Sequence, residues 1–361
     1  MNEFRAGLEG IVAFRTEIAE PDREGGSLRY RGVDIEELVG RVPFEQVWGL
    51  LVDDSLTPGL APAEPYALPG ATGEPVADLQ AATARLSADW GLKKLIDLSD
   101  EGAKEDLRRL SSTMISIVAQ SARLHDGEKA PVDAATVAAG ETAAERFLLE
   151  WRGEADPKHV KAIDTYWICT AEHGMNASTF TARVVASTGA DCAACLSSAV
   201  GALSGPLHGG APARILPMLD AAAEAGSIDE YVAGLLDRKE RLMGFGHRVY
   251  RAEDPRARVL RRTAQELDSP RFQVAEELER AALAALAERH PERVLATNVE
   301  FWSAVVLDVA RIPPPMTPAM FASSRTGGWS AHILEQKRTA RLVRPSAEYV
   351  GPPARALTSV S

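Results

Sequence analysis

The sequence predicts a mainly all-α fold in two parts, one large and one small, with a short β-hairpin near its N-terminus. Three observations carry this. Helix-start signals and apolar repeats of helical period recur along the chain. Strand-like segments all but vanish after residue 30. The 361 residues exceed the roughly 150 of an average domain, which suggests a large domain with a smaller companion.

In chain order, residues 10–14 (GIVAF) and 27–30 (SLRY) read as two short strands joined through the turn-forming 21–26 (PDREGG). Asp34-Ile35-Glu36-Glu37 opens a helix with an acidic first turn. Ser227 with Glu230 reads as a capping box, in which serine and glutamate satisfy each other's backbone donors. Ser269-Pro270 starts a further helix, with proline at its first position and apolar repeats running to about His290. Breaks are expected where proline and glycine cluster, at 58–75, 201–210, 313–315 and Gly327-Gly328. Residues 60–160 read as amphipathic helix with polar linkers and carry no chemical motif. Cys192 and Cys195 match C-x-x-C, but in an Ala-rich helical run without a second pair they read as small-residue packing.

Composition narrows the partners. With 40 Lys and Arg against 51 Asp and Glu, the net charge is −11, which argues against nucleic acid and anionic membranes. Hydrophobic residues at 45% allow a substantial core. No run approaches the roughly 18 apolar residues of a membrane span. The N-terminus lacks a basic segment followed by an apolar run, so a cytoplasmic location is expected. Small molecules and further copies of the chain remain as partners.

Three segments carry the chemistry: Gly205-Pro206-Leu207-His208-Gly209-Gly210, Gly244-Phe245-Gly246-His247-Arg248 and Asn298-Val299-Glu300-Phe301-Trp302. Two imidazoles and a carboxylate can move a proton off carbon while steadying the oxygen that gains charge. His208 precedes a helix whose apolar stripe includes Ile215, Leu216, Met218 and Leu219, so the helix dipole would keep its ring neutral; alternatively the glycines form only a turn. Six arginines (248, 251, 256, 258, 261 and 262) follow His247. Arg258, Arg261 and Arg262 read as a solvated helix face, and the others as contacts to an anion. Glu300 shares a helix side with Ala304 and Leu307, so it is either a surface residue at the edge of an apolar stripe or a base facing a cleft. A metal site built from His173, His208 and His247 lacks the short two-ligand spacings of zinc sites, and no metal is expected.

Together these segments resemble the citrate synthase family. "AEHGMNASTFTARVVAST" (171–188), "GALSGPLHGGAPARI" (201–215), "MGFGHRVYRAEDPRA" (243–257), "NVEFW" (298–302), "SSRTGGWSAHILEQ" (323–336) and "RPSAEYVG" (344–351) keep the family's order and spacing. Weaker likeness includes "GLEGIVAF" (7–14) and "LRYRGVDIEELV" (28–39). The resemblance implies condensation of oxaloacetate with acetyl-CoA as co-substrate, then thioester hydrolysis to citrate and CoA, without a further cofactor. It implies Glu300 as the base, His208 as donor to the thioester oxygen and His247 as donor to the oxaloacetate carbonyl. Oxaloacetate would be held by His173, Arg256, Arg325 and Arg344, the last reaching a neighbouring subunit's site in a homodimer. Arg251 would face the CoA phosphates, and the backbone of Gly244, Phe245 and Gly246 would lie against adenine. The implied large domain is 1–209 with 312–361, and the small domain is 210–311, closing over bound oxaloacetate. No N-terminal regulatory module is expected ahead of Gly7.

Two positions depart from the family pattern: Glu300 stands where aspartate is usual, and Pro212 where asparagine is usual. Alternatives left open are a 2-methylcitrate synthase using propionyl-CoA and a catalytically weak CoA- or carboxylate-binding paralogue.

Overall fold

A computed structural model describes residues 4–356 apart from 9, 23, 25, 129, 210–213, 247–249, 251–252 and 294. It is built from α-helices with one small sheet. The antiparallel strands β1 (Ala19–Pro21), β2 (Leu28–Tyr30) and β3 (Val33–Asp34) run in that order, with Ala19 opposite Tyr30 and Tyr30 opposite Val33. The hairpin is real, but its first strand is not residues 10–14. That segment is irregular, and Val12 is 85% exposed. The backbone bond from Asp22 N–H to Ser27 O closes the turn at a length that pairs residues 19–21 with 28–30.

The helices follow as α1 (Ile35–Leu38), α2 (Phe44–Asp53), α3 (Pro75–Asp89), α4 (Asp100–His125), α5 (Ala134–Ala138), α6 (Ala143–Arg152), α7 (Pro157–Thr170), α8 (Ala177–Ser187) and α9 (Cys192–Leu203). After them come α10 (Ile215–Glu224), α11 (Ile228–Asp237), α12 (Pro255–Glu266), α13 (Phe272–Arg289), α14 (Val299–Val309) and α15 (Thr317–Thr339). Asp34 caps α1 through its side chain, as expected. Ser227 accepts from Glu230 N–H at 3.3 Å, but the reciprocal bond is absent among the described residues; the complete box belongs to Thr142 and Glu145, on α6. Ser269 and Pro270 form a turn, and α13 starts two residues later, at Phe272, running to Arg289 as expected.

Two helices are buried along most of their length, α4 and α15. Both are rich in small residues, which lets neighbouring backbones approach. Hydroxyls of α15 bond back to their own helix, as Ser323 Oγ does to Ala319 O and Thr326 Oγ1 to Ser323 O, whereas those of α4 reach across, as Ser112 Oγ does to Ala61 O. The break expected at Gly327-Gly328 does not occur; both sit inside α15. A Cβ at Gly328 would lie 2.1 Å from Glu172 Oε2 and 2.6 Å from Ala171 O, so close packing, not a turn, requires glycine there. Likewise α9 continues through Gly201 to Leu203. Cys192 and Cys195 are buried free thiols in α9, in keeping with the packing reading.

On the other side, α12 and α14 pack on each other and on α7. Asp254 caps α12 ahead of Pro255, and Asn298 caps α14 by accepting from Glu300 N–H at 3.0 Å. Helix α7 thus stands between α15 and the α12–α14 pair, with the segment after its C-terminus facing both.

Candidate active site

The α15 side of α7 holds a cation and an imidazole. Arg325 is buried, and its Nε donates to Thr170 O, the last residue of α7, at 2.6 Å. Its Nη1 is buried without a hydrogen-bond partner among the described residues. The guanidinium lies over the Phe321 ring, 4.6 Å from its centroid, and His208 meets the same ring edge-on at 6.0 Å. Burial works against the Arg325 charge, the field of Glu172 supports it and that of Arg256 opposes it, leaving its pKa lowered.

His208 Nε2 lies 2.9 Å from Ser178 Oγ. Ser178 also accepts from Trp329 Nε1–H at 3.2 Å and donates to Asn176 Oδ1 at 2.8 Å. Turning that one proton to His208 Nε2 would leave the ring proton of His208 on Nδ1. The His208 pKa is pushed down to about 4, by burial first and then by the Arg325 charge. The expected neutral ring is therefore present, but its main causes are desolvation and a neighbouring cation, where the sequence had suggested a helix dipole.

His173 follows α7 directly and is buried, with Nε2 3.0 Å from the Tyr250 hydroxyl. The preceding residue, Glu172, is fully buried and accepts from His332 Nε2 at 3.2 Å. Arg183 Nη1 donates to His332 Nδ1 at 2.9 Å, which leaves the His332 proton on Nε2. This network fixes the backbone from which His173 projects.

The α12–α14 side supplies a second buried cation and a carboxyl group. Arg256 donates to Asp254 from Nε at 2.9 Å and from Nη2 at 2.8 Å. Asp254 also accepts from Arg256 N–H at 3.0 Å and from Val299 N–H at 3.1 Å, so one carboxylate ties the starts of α12 and α14 together. Burial opposes the Arg256 charge, but attraction to Asp254 and its hydrogen bonds outweigh that and raise its pKa. Glu300 lies one residue into α14, and the helix is buried along Phe301–Leu307, so the wall beside Glu300 formed by Ala304 and Leu307 is interior. Burial raises the Glu300 pKa, against the fields of Arg256 and Arg241. Tyr166 of α7 feels Arg325, Glu300 and Arg256 together, which places all three around one stretch of that helix.

Gly244 and Gly246 have φ of +89° and +85°. Asn298 N–H donates to Gly244 O at 2.9 Å, Asn298 Nδ2 to Gly246 O at 3.0 Å, and Gly246 N–H to Ala296 O at 2.7 Å. A Cβ at Gly244 would meet Phe301 Cβ at 2.8 Å, and the Phe245 and Phe301 rings lie 5.3 Å apart.

The structure therefore brings His173, His208, Arg256, Glu300 and Arg325 around the C-terminal half of α7, with the 244–246 loop anchored beside Glu300. His247, Arg248 and Arg251 lie outside the described residues. Arg344 is exposed in the extended 340–356 segment and joins none of these groups within its own chain. Arg258, Arg261 and Arg262 pair with Glu36, Glu253, Glu276 and Glu279, as a solvated face should. Sequence reasoning missed Asp254 and Tyr250 and gave Ser178 no role. For Asp254 a signal existed, since Asp-Pro is a helix start in its own right. Among the described residues no helix is long and apolar enough to cross a membrane.

Comparisons with known proteins agree with this geometry. Residues 7–346 match the family model described as citrate synthase, C-terminal domain. The chain is 59% identical over 359 residues to putative citrate synthase 2 of Mycobacterium tuberculosis, spanning 99% of this chain and 95% of that one. It is 33% identical over 361 residues to the 2-methylcitrate synthase of Shewanella oneidensis, spanning 96% and 94%. Among solved structures it is similar to the Thermoplasma acidophilum citrate synthase in ternary complex with carboxymethyl coenzyme A and oxaloacetate, with a TM-score of 0.83 at 26% identity over 98% of each chain.

Proposed function

We propose, on the premise that the chain belongs to the citrate synthase family, that it condenses oxaloacetate with acetyl-CoA and hydrolyses the resulting thioester to citrate and free CoA. The observation that supports this most directly is the convergence of a carboxyl group held above its usual pKa, Glu300, and a neutral imidazole, His208, around two buried guanidinium groups.

In this reading oxaloacetate, a dianion, lies between Arg256 and Arg325, where Arg325 Nη1 gains the acceptor it lacks. His173 completes the cradle, positioned by Tyr250. Glu300 takes a proton from the acyl methyl carbon while His208 donates from Nδ1 to the thioester oxygen, with Ser178 holding its other nitrogen. The enol carbon attacks the oxaloacetate carbonyl, whose oxygen receives a proton from His247. Water then cleaves the thioester and releases CoA. Only protons and bonds between these groups move, so the reading asks for no metal or further cofactor. Arg251 and the Gly244-Phe245-Gly246 backbone are assigned to CoA.

The same reading makes residues 210–311 a small domain that closes on a large domain of 1–209 and 312–361. It also makes the enzyme a homodimer in which Arg344, exposed in its own chain, enters the partner's site. Three free, buried cysteines are in keeping with a cytoplasmic location. Propionyl-CoA is the second candidate substrate, given the 33% identity to a 2-methylcitrate synthase; one methyl group in an apolar pocket is worth roughly 1–3 kcal/mol.

Glu300→Gln tests the assignment. Thiol release from acetyl-CoA should fall by at least about 100-fold, the scale of general-base catalysis, while oxaloacetate binding measured by calorimetry stays near wild type. Strong residual turnover refutes it. Parallel rates with acetyl-CoA and propionyl-CoA decide the acyl group.

A further inference from the structure

Between α4, α6 and the segments 60–68 and 130–138 lies a cavity of about 720 Å³. That is within the size range of small-molecule sites, and it shares no lining residue with the site above. Its walls are mostly apolar, among them Leu68, Ile115, Val137 and Phe147. Two charged side chains from one face of α6, Arg146 and Glu150, also line it.

Arginine and glutamate one helical turn apart ordinarily reach each other. Here they form no ion pair with one another among the described residues, because each is held by something else. Arg146 Nη1 donates to Gly140 O at 3.2 Å and Glu141 O at 3.1 Å, which turns the guanidinium toward the N-terminal end of α6. A Cβ at Gly140 would lie 2.9 Å from Arg146 Cγ, so glycine there gives the side chain room to lie down on the loop. Glu150 Oε1 accepts from Ser116 Oγ at 2.7 Å, and Ser116 in turn accepts from Gln120 Nε2 at 3.0 Å, which holds the carboxyl group toward α4. Burial pulls the Arg146 pKa down, partly offset by the fields of Glu45 and Glu145, and pushes the Glu150 pKa up, where only the Ser116 and Gln120 hydrogen bonds oppose it.

We propose that this cavity binds a small apolar zwitterion, an α-amino acid with an aromatic or branched side chain: its carboxylate on Arg146, its ammonium on Glu150 and its side chain between Ile115 and Phe147. Both side chains line the cavity, Arg146 toward the N-terminal end of α6 and Glu150 toward α4, so the two ends of a zwitterion meet opposite charges along one wall. Phe147 packs against Trp151 and Trp167, at 5.7 and 5.5 Å, so binding should be visible in tryptophan fluorescence.

The test uses the intact protein and three probes: L-phenylalanine, phenethylamine, which lacks the carboxylate, and 3-phenylpropionate, which lacks the amine. Calorimetry should show saturable phenylalanine binding, with each analogue at least 10-fold weaker. Glu150→Gln should weaken phenylalanine and phenethylamine by at least 10-fold and leave 3-phenylpropionate unchanged; Arg146→Met should do the converse. Ile115→Trp, which fills the cavity, should abolish binding of all three. No saturable binding of phenylalanine to the wild type, equal binding of the analogues, or binding that survives Ile115→Trp would each overturn the proposal. The wild-type analogue series stands even where a variant fails to fold.

Discussion

Arg256 and Arg325 are both buried cations beside α7, yet they are satisfied differently. Arg256 has a carboxylate of its own, Asp254, gripped through two nitrogens. Arg325 has a backbone carbonyl, a neighbouring aromatic face and an Nη1 with nothing to donate to among the described residues. Arg256 meets the proposed anion already paired within the fold, whereas Arg325 has a donor to spare for it. Loss of the first should therefore strip a buried carboxylate of its partner as well as weaken the cradle, and loss of the second should act mainly on the ligand.

Removing each arginine should separate these roles. Arg256→Met leaves Asp254 buried without its partner and should lower the unfolding free energy by about 3–5 kcal/mol, measured by urea denaturation. If stability holds, Asp254 is not the structural partner described above. Arg325→Met removes a cation whose pKa burial already lowers. It should weaken oxaloacetate binding by on the order of 100-fold, the scale of a lost buried charge contact, with little change in stability. Equal damage to folding from both variants would erase the distinction.

A smaller effect concerns pH. His208 titrates near 4 in the folded chain, below its free value, because of burial and Arg325. Its contribution to stability is therefore fully present above about pH 6.5 and is lost as pH falls from there toward 4, since the unfolded chain takes up the proton first. Arg325→Met removes one of the two causes and should shift the His208 titration upward from about 4, read from its ring proton signals by NMR. No shift would mean that burial alone sets the value.

The sequence carried the site more fully than it carried the site's supports. His208, Glu300 and Arg325 sit in compact motifs and were legible from local residue types and a family resemblance. Their partners were not. Asp254 reaches Val299 N–H across 45 positions of sequence, and Glu172 meets Gly328 only because α7 and α15 pack together. The same long-range packing explains the misread glycines at 327 and 328, where punctuation was expected and close approach was the reason. Residues 10–14 have a strand's composition, but residues 19–21 pair with β2 in their place. Glu300 looked like a surface residue from its own helix alone, because what buries it comes from elsewhere in the fold.

The hydrogen bonds joining the 244–246 loop to Ala296 and Asn298 have a further consequence. Loop and helix start are mechanically one part, so any redesign of the loop to accept a different thioester carrier would also re-aim the side chain at 300. With Phe301 packed 2.8 Å from where a Cβ at 244 would stand, even alanine there should push the first turn of α14 aside. If the loop holds the CoA nucleotide as proposed, specificity is better altered at the acyl end of the ligand than at the loop.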